Sequence, residues 1–400
     1  MEKSIDLILE FGEALHIYGA TSYNLEQALQ NISKKLGLVG EFFSTPTLLI
    51  SSFTDENDSK TYVKRVYPSD IDLRKLTYLD ELGDHIIDGE MGIEEAYIRL
   101  KKIRNLKQHF PTYIEILAYG LIGICVSIFF NASNTELIAS GFVGLVVGFI
   151  TVTLGRINRI QNITEFLSSF IATVLSVLMA QYFDNFNFNL VILPSLIVLV
   201  PGLTLTISIT ELATYNLASG TARLMQAILV FFKLAFGVVL ALQLLNFLNI
   251  DLSFIPSQIE IPLPLKAISL TFAAFAFSIL FKIPLKFYPW ILVSSGIGFF
   301  TTYFASQSFG VNIGTFLAGF AVCLLANGFA RWQKRPTLLL ELPGLITIVP
   351  GSIGFKGLQF FFEKNTLAGI DSIFDMFLIA IALVSGFLLA NILLASNRSL

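Results

Sequence analysis

The stretch LPSLIVLVPGLTLT, residues 193–206, carries Pro194 and the pair Pro201-Gly202. LPGLITIVPGSIGF, residues 342–355, repeats the spacing with Pro343 and Pro350-Gly351. Each copy sits in an apolar run long enough to enter a bilayer. Proline removes a backbone donor and clashes with the preceding turn, and glycine adds freedom, so each copy should break its helix near mid-membrane. The lag between copies is 149 residues, and it persists: Gly220 matches Gly369, Gly237 matches Gly386, and Ala241 matches Ala390. A gap-free lag through these positions reads as an internal duplication. Paired broken helices at matching positions point to a transporter's binding site.

Composition divides the chain in two. It is 54% hydrophobic and 14% charged over 400 residues, where soluble domains run at about 25% charged. Residues 1–110 hold 31 of the 55 charged side chains, leaving 24 for the other 290 positions. A soluble segment, 1–110, therefore precedes an apolar one. The net charge of −3 gives no basic footprint for nucleic acid. Cys125 and Cys323 lie in apolar helices and offer neither a disulfide framework nor a metal spacing. The start, MEKSIDLILEFGEAL, mixes acids into its apolar pattern and does not read as a signal peptide.

In the soluble segment, Leu7, Ile8, Phe11, Leu15 and Tyr18 follow helical spacing up to Gly19. Thr21 or Ser22 can cap a second helix bearing Leu25, Ala28, Leu29 and Ile32 and closed by Gly37. Residues 47–53 and 60–67 read as strands joined by a polar turn, and helices follow at about 70–87 and 92–106. This is a small α+β domain. Asp84-His85 beside Asp80, Glu81 and Asp88 could be drawn as an acid–base site, but a solvated acidic helix face explains the same residues. A regulatory or interaction role is the plainer expectation.

Apolar windows of about twenty residues predict ten spans in 111–400: 112–130, 137–155, 163–182, 190–209, 223–245, 265–281, 288–305, 311–330, 338–355 and 371–394. Loops with Arg156 and Arg159, Arg223, Lys282 and Lys286, and Arg331, Lys334 and Arg335 should face the cytoplasm. NASNTE, YFDNFNFN and ASQSFGVN, without lysine or arginine, should face out. Both termini are then cytoplasmic. Ten spans at this lag give two five-helix repeats, 111–248 and 264–396. Five is odd, so the second repeat must be inverted.

After the first break come Thr204, Thr206, Ser208, Thr210 and Glu211. Unwound backbone with hydroxyls can bind a small polar substrate, and freed amides suit a carboxylate. The same hydroxyls can instead bond their own helix carbonyls. The second copy offers Ser352 and Lys356. The substrate-binding candidates are thus Pro201, Gly202, Thr204, Thr206, Ser208, Glu211, Pro350, Gly351, Ser352 and Lys356. Lys233 lies about 15 Å beyond Arg223 at helical rise, deep enough to be functional by default. Arg223 either neutralises a carboxylate or sets topology. Asp375 is the mate of Gln226, a carboxylate against an amide. Glu211, Arg223, Lys233 and Asp375 are the coupling candidates, while Glu115, Glu165, Glu341 and Asp371 read as headgroup-region charges.

The run PGLTLTISITELATYNLASGTARLMQAIL, residues 201–229, resembles the signature of the threonine/serine exporter family. VPGSIGFKG (349–357) is similar to the family's second half, and FGEALHIYGATSYNLEQALQNISKKLGL with TPTLLI to its cytosolic domain. The resemblance implies ten spans and export of threonine and serine driven by an ion gradient. Split-chain relatives imply dicarboxylate (succinate-type) export as an alternative. The chain departs from the family pattern at Ile207–Glu211, where Asn-Ala-Ile-Arg-Asp is usual, and at Gln226, where Glu is usual; an amide there cannot carry a proton.

The expectation is an α-helical polytopic secondary transporter of the inner membrane. It would work by alternating access with a coupling proton and a small-molecule substrate, and call for no cofactor, metal or nucleic acid. The sequence leaves a homo-oligomer open. A membrane-anchored hydrolase acting through the N-terminal domain lacks a nucleophile–base pair or metal cluster in the spans. A passive channel explains the broken helices less well.

Overall fold

A computed structural model describes residues 2–55, 58–67, 71–157, 159–252, 259–348, 350–362 and 365–394. The N-terminal portion comprises α1 (Glu2–Ile17), α2 (Ser22–Lys35), β1 (Val39–Thr45), β2 (Leu48–Asp55), β3 (Asp58–Arg65), α3 (Leu73–Asp88) and α4 (Ile93–Arg104). The strands form an antiparallel meander in the order β1-β2-β3. The apolar stripes of α1 and α2 close over β2 and α3, with Leu7, Ile8, Phe11, Leu25, Leu29 and Leu76 fully buried. β1 is an addition to the two expected strands. Its sheet-covered positions are Gly40, Phe42 and Ser44, too mixed to register as an apolar alternation.

The remainder is helical: α5 (Thr112–Phe129), α6 (Asn134–Thr153), α7 (Thr164–Ala180), α8 (Asn189–Leu196), α9 (Gly202–Ala213) and α10 (Leu217–Phe247). Then come α11 (Leu263–Leu280), α12 (Tyr288–Phe309), α13 (Val311–Gln333), α14 (Leu338–Ile346), α15 (Gly351–Phe362) and α16 (Thr366–Leu393). Among the described residues, seven helices are long and apolar enough to cross a membrane: α5, α6, α7, α10, α11, α13 and α16. The bent pair α14–α15, with 41° between its arms, makes an eighth. The chain is a mostly helical, multi-pass membrane protein. The two other expected spans fall on α12, long enough but diluted by serine and threonine, and on the short helices α8 and α9.

The lag of the sequence reappears in element boundaries. α8 and α14 start at 189 and 338, α9 and α15 at 202 and 351, and α10 and α16 at 217 and 366. Packing recurs with it: α6 meets α8 as α12 meets α14, and α7 meets α10 as α13 meets α16. Gly237 and Gly386 serve the same contact. A Cβ on Gly237 would lie 2.6 Å from the Phe166 carbonyl of α7, and one on Gly386 would strike the Phe316 carbonyl of α13. Only a bare backbone fits at either place.

The N-terminal portion sits on the helical one. Its apolar core runs on into Ala274, Ile283, Phe287, Ile291, Phe329 and Leu339. The Leu73 N–H donates to the Phe281 carbonyl at 3.1 Å, and Glu81 pairs with Arg335.

Candidate functional site

Both expected breaks are present. α8 stops at Leu196, residues 197–201 form turns, and Pro201 (φ −80°, ψ 39°) leads into α9. In the second copy, α14 ends at Ile346 and α15 resumes at Gly351. Pro194 and Pro343 lie inside α8 and α14. Carbonyls of α14 are bonded from α12, where Ser294 Oγ donates to Leu340 O at 2.8 Å and Ser295 Oγ to Pro343 O at 3.1 Å.

The two breaks touch. A Cβ placed on Gly351 would lie 2.8 Å from Val200 Cγ1 and 3.2 Å from Gly202 Cα. Pro201, Gly202, Pro350 and Gly351 are all buried. The duplicated Pro-Gly pairs therefore bring two helix N-termini together at a point where Gly351 has no room for a side chain. Unsatisfied amides at such ends attract anionic groups.

The hydroxyls after the first break look inward to their own helix. Thr206 Oγ1 donates to Gly202 O at 3.1 Å, Ser208 Oγ to Leu205 O at 2.7 Å and Thr210 Oγ1 to Thr206 O at 3.0 Å. Thr206 and Ser208 are buried in this arrangement. Thr204 is half-buried, as is Ser352. Lys356 is exposed, its Nζ 4.6 Å from the centre of the Phe130 ring.

Glu211 is the centre of the best-formed polar site. It is 1% exposed and accepts from three donor groups. Arg223 Nε lies 3.1 and 3.0 Å from its two oxygens, and Ser219 Oγ donates at 2.8 Å. The Ser22 N–H, at the first residue of α2, donates at 3.1 Å. Ser22 Oγ donates in turn to Ser219 Oγ at 2.6 Å. The positive end of α2 thus faces the carboxylate, and the N-terminal portion is fastened to the corner between α9 and α10. Arg223 does neutralise Glu211.

His16 and Glu26 lie beside this corner. Burial pushes the His16 imidazole below its ordinary range; the Pro46 backbone and Glu211 oppose this, and Arg223 adds to it. His16 Nδ1 is buried and has no partner among the described residues. Burial raises Glu26 above the usual carboxylate range, with Glu211 adding to the rise, although the Ser44 N–H, at 2.6 Å, pulls it back. Sequence reasoning missed His16, Ser22 and Ser219. The available signals were a helix-opening serine and a membrane glutamate in need of donors, and nothing in the chain linked them across 189 residues.

The other charges are dispersed. Lys233 Nζ pairs with Glu165 Oε2 at 3.4 Å, each about a quarter exposed, so the deep lysine has a counter-ion from α7. Glu115, in the first turn of α5, is buried, with Arg156 at 3.1 Å and Gln108 at 2.8 Å. Asp375 and its mate Gln226 are both exposed and take no part in the Glu211 site.

Comparison with known proteins agrees with this architecture. Residues 6–245 match a family described as "Putative threonine/serine exporter", and residues 266–393 match one described as "Threonine/Serine exporter, ThrE". An uncharacterized protein of Schizosaccharomyces pombe is 24% identical over 362 residues, covering 88% of this chain and 48% of that protein. Pheromone-regulated membrane protein 10 of Candida albicans is 25% identical over 361 residues, covering 87% and 32%. Its namesake in Kluyveromyces lactis is 25% identical over 379 residues, covering 91% and 38%. The chain spans about half or less of the length of these curated relatives. No solved structure matches it.

Proposed function

The chain belongs to the threonine/serine exporter family, and from that premise we propose that it is a secondary transporter exporting small hydroxy amino acids. Threonine and serine are the substrates we favour, and a proton gradient the driving force. The observation that carries this reading is the meeting of the two Pro-Gly breaks at Gly202 and Gly351. Two half-helix N-termini at one point suit a substrate carboxylate. Half-buried Thr204 and Ser352, close behind the breaks, are the hydroxyls best placed to meet a substrate's polar groups.

The ten-span reading pairs α8 with α9 and α14 with α15 as broken spans and treats 111–248 and 264–396 as inverted repeats. Recurring boundaries and packing pairs support it. The N-terminal portion, 1–110, then lies in the cytoplasm with both termini. It fastens to the first repeat at Glu211 and to the second at Phe281 and Arg335. A body anchored on both halves acts as an inner gate: alternating access requires the halves to move relative to each other, and so requires this anchoring to loosen.

Arg223 is engaged by Glu211 and so is not free to hold a second substrate carboxylate. Counterflow of labelled threonine, serine and succinate into proteoliposomes holding the full chain tests the reading. We expect exchange of threonine and serine. Succinate exchange alone would move the assignment to the dicarboxylate branch. Hydrolytic turnover without exchange of any of the three would overturn transport.

A further inference from the structure

The second half of the helical portion holds a polar cluster with no counterpart in the first. Glu341 stands one turn into α14, and Thr337 lends it a side-chain hydrogen bond. From α13, Cys323 Sγ lies 4.0 Å from Glu341 Oε1 and 3.4 Å from Asn391 Oδ1 of α16. Asn327, one turn along α13, donates Nδ2 to Asn391 Oδ1 at 2.7 Å. Cys323 and Asn327 are fully buried.

At the 149-residue lag, the mates of Cys323, Asn327, Thr337, Glu341 and Asn391 are Val174, Leu178, Phe188, Ile192 and Leu242. At these five positions the first half carries apolar side chains alone. Polar groups at all five positions of one copy are not needed to hold the helices together.

Glu341 also differs from the glutamates of the other helices in this portion: Glu136, in the first turn of α6, accepts from the Ser133 and Asn187 N–H groups at 2.6 and 2.7 Å. Glu115, Glu165 and Glu211 each have a lysine or arginine within ion-pair distance. Among the described residues Glu341 has none. A carboxylate in a span without a counter-ion is costly unless it binds a proton or another cation. The neighbours here are a thiol, a hydroxyl and amides, which suit a neutral carboxylic acid and supply no second negative charge for a metal ion.

We propose that Glu341 is the proton-binding carboxylate of the transport cycle, with Thr337 and Cys323 beside it and Asn327 and Asn391 bonded to Cys323 behind them. This rests on the transporter reading and deepens it. The step is proton transfer alone: one carboxylate oxygen takes a proton from water on one side and returns it to water on the other, and no other bond changes. The sequence-based coupling candidates fit less well, because Glu211 is held by three donor groups and Lys233 by Glu165.

The charges around the site are few. α13 presents Cys323 and, two turns toward its C-terminal end (about 12 Å at helical rise), Arg331. α12 has no charged residue, and Lys266 of α11 lies in that helix's first turn. Glu211 of α9 is committed to Arg223. Asp371 and Asp375 lie 20 and 16 residues before Asn391 on α16. Arg335, just before α14, is paired with Glu81 of the N-terminal portion.

The test uses the full chain in proteoliposomes, wild type and Glu341→Gln. Threonine accumulation driven by an imposed pH gradient should fall to the no-gradient level in the variant, while counterflow, which needs no net proton movement, persists. Infrared difference spectra across neutral pH should show a protonated-carboxyl band in the wild type that the variant lacks. Gradient-driven accumulation intact in the variant overturns the proposal. If the variant loses counterflow as well, the infrared band decides: a band retained in Glu341→Gln, or absent from the wild type, overturns it. Sodium replacing the pH gradient as the driver in the wild type also overturns it. A wild type that exchanges none of threonine, serine and succinate breaks the transporter reading instead, and the infrared band still reports on Glu341.

Discussion

The two Pro-Gly copies share a backbone and differ in their charges. Both break a helix between residues the same 149 positions apart, and both place a bare glycine at the crossing. Yet Glu211 has Phe360 as its mate, Ser219 has Ala368, and Arg223 has Ser372, just as Glu341 has Ile192. Each half therefore carries its own carboxylate at a position the other half leaves without one. The first is quenched by an arginine and covered by α2. The second has a thiol and a hydroxyl beside it. The shared geometry thus carries different chemistry: a latch on one side and, in our proposal, a proton site on the other.

The comparison is broken most directly at Arg223. Its removal leaves Glu211 buried without its counter-ion, a loss of about 3–5 kcal/mol in a fully buried pair. Arg223 is 20% exposed, so we expect the lower end of that range. Thermal unfolding of the purified chain should show a large drop for Arg223→Ala and almost none for Ser372→Ala, its mate. Glu211→Leu combined with Arg223→Met should recover much of the loss, because no buried charge is then orphaned. Equal effects at 223 and 372 would mean the halves are not divided as described.

The shared part of the comparison predicts symmetry instead. Gly351→Val pushes a branched side chain against Val200 and the Gly202 backbone at the crossing, and Gly202→Val is expected to crowd the same point from the other side. Overpacking of this kind costs about 1–3 kcal/mol. Both variants should lose exchange to a similar degree, measured as counterflow per folded transporter. One tolerant glycine and one intolerant would show that only one break is used.

A smaller effect is expected at the latch. Ser22→Ala removes the hydroxyl that donates to Ser219 but keeps the N–H that donates to Glu211. The loss should be about 0.5–1.5 kcal/mol, the net worth of one hydrogen bond. Hydrogen exchange of the α2 amides should rise in Ser22→Ala, with exchange in β3 unchanged. Unaltered exchange in α2 would remove Ser22 from the latch.

Much of this was legible in the sequence, because helix breaks and apolar stripes are local. Pro201-Gly202 and Pro350-Gly351 mark the breaks, and Leu7, Phe11 and Leu15 mark the core of α1. What was not legible depends on partners far along the chain. Thr206 and Ser208 carry the residue types of a binding site, but their hydroxyls are taken by carbonyls one turn back. Lys233 looked isolated because Glu165 lies 68 residues before it. The setting of Glu341 was hidden because Cys323, with its partners Asn327 and Asn391, meets it only once three helices have packed. β1 escaped because its covered face includes Gly40 and Ser44 rather than a run of aliphatics.

The smallest expected effect is a dependence of the latch on pH. His16 is buried beside Glu211 and Arg223 with Nδ1 unpartnered, and burial holds its imidazole below the ordinary 6.5. A depressed imidazole means the seated state prefers the neutral ring, so the released or unfolded state binds more protons below 6.5. The stability of the seated state is then fully present above that value, and declines as pH falls toward the lowered one. Glu26 works in the opposite sense: its raised carboxyl favours the seated state at more acid pH, and that contribution fades as pH rises through its folded value. Between neutral and mildly acid pH the His16 contribution therefore sets the direction. Hydrogen exchange in α2 should rise as pH is lowered through this window, after correction for intrinsic rates, and His16→Phe should flatten the response. Glu211 and Arg223 face His16 with opposite charges and partly cancel, so the effect should stay below that of Ser22→Ala. A response of the opposite sign, with exchange falling as pH is lowered, would mean the ring is protonated while seated and paired with Glu211, which would make the latch an acid-closed gate.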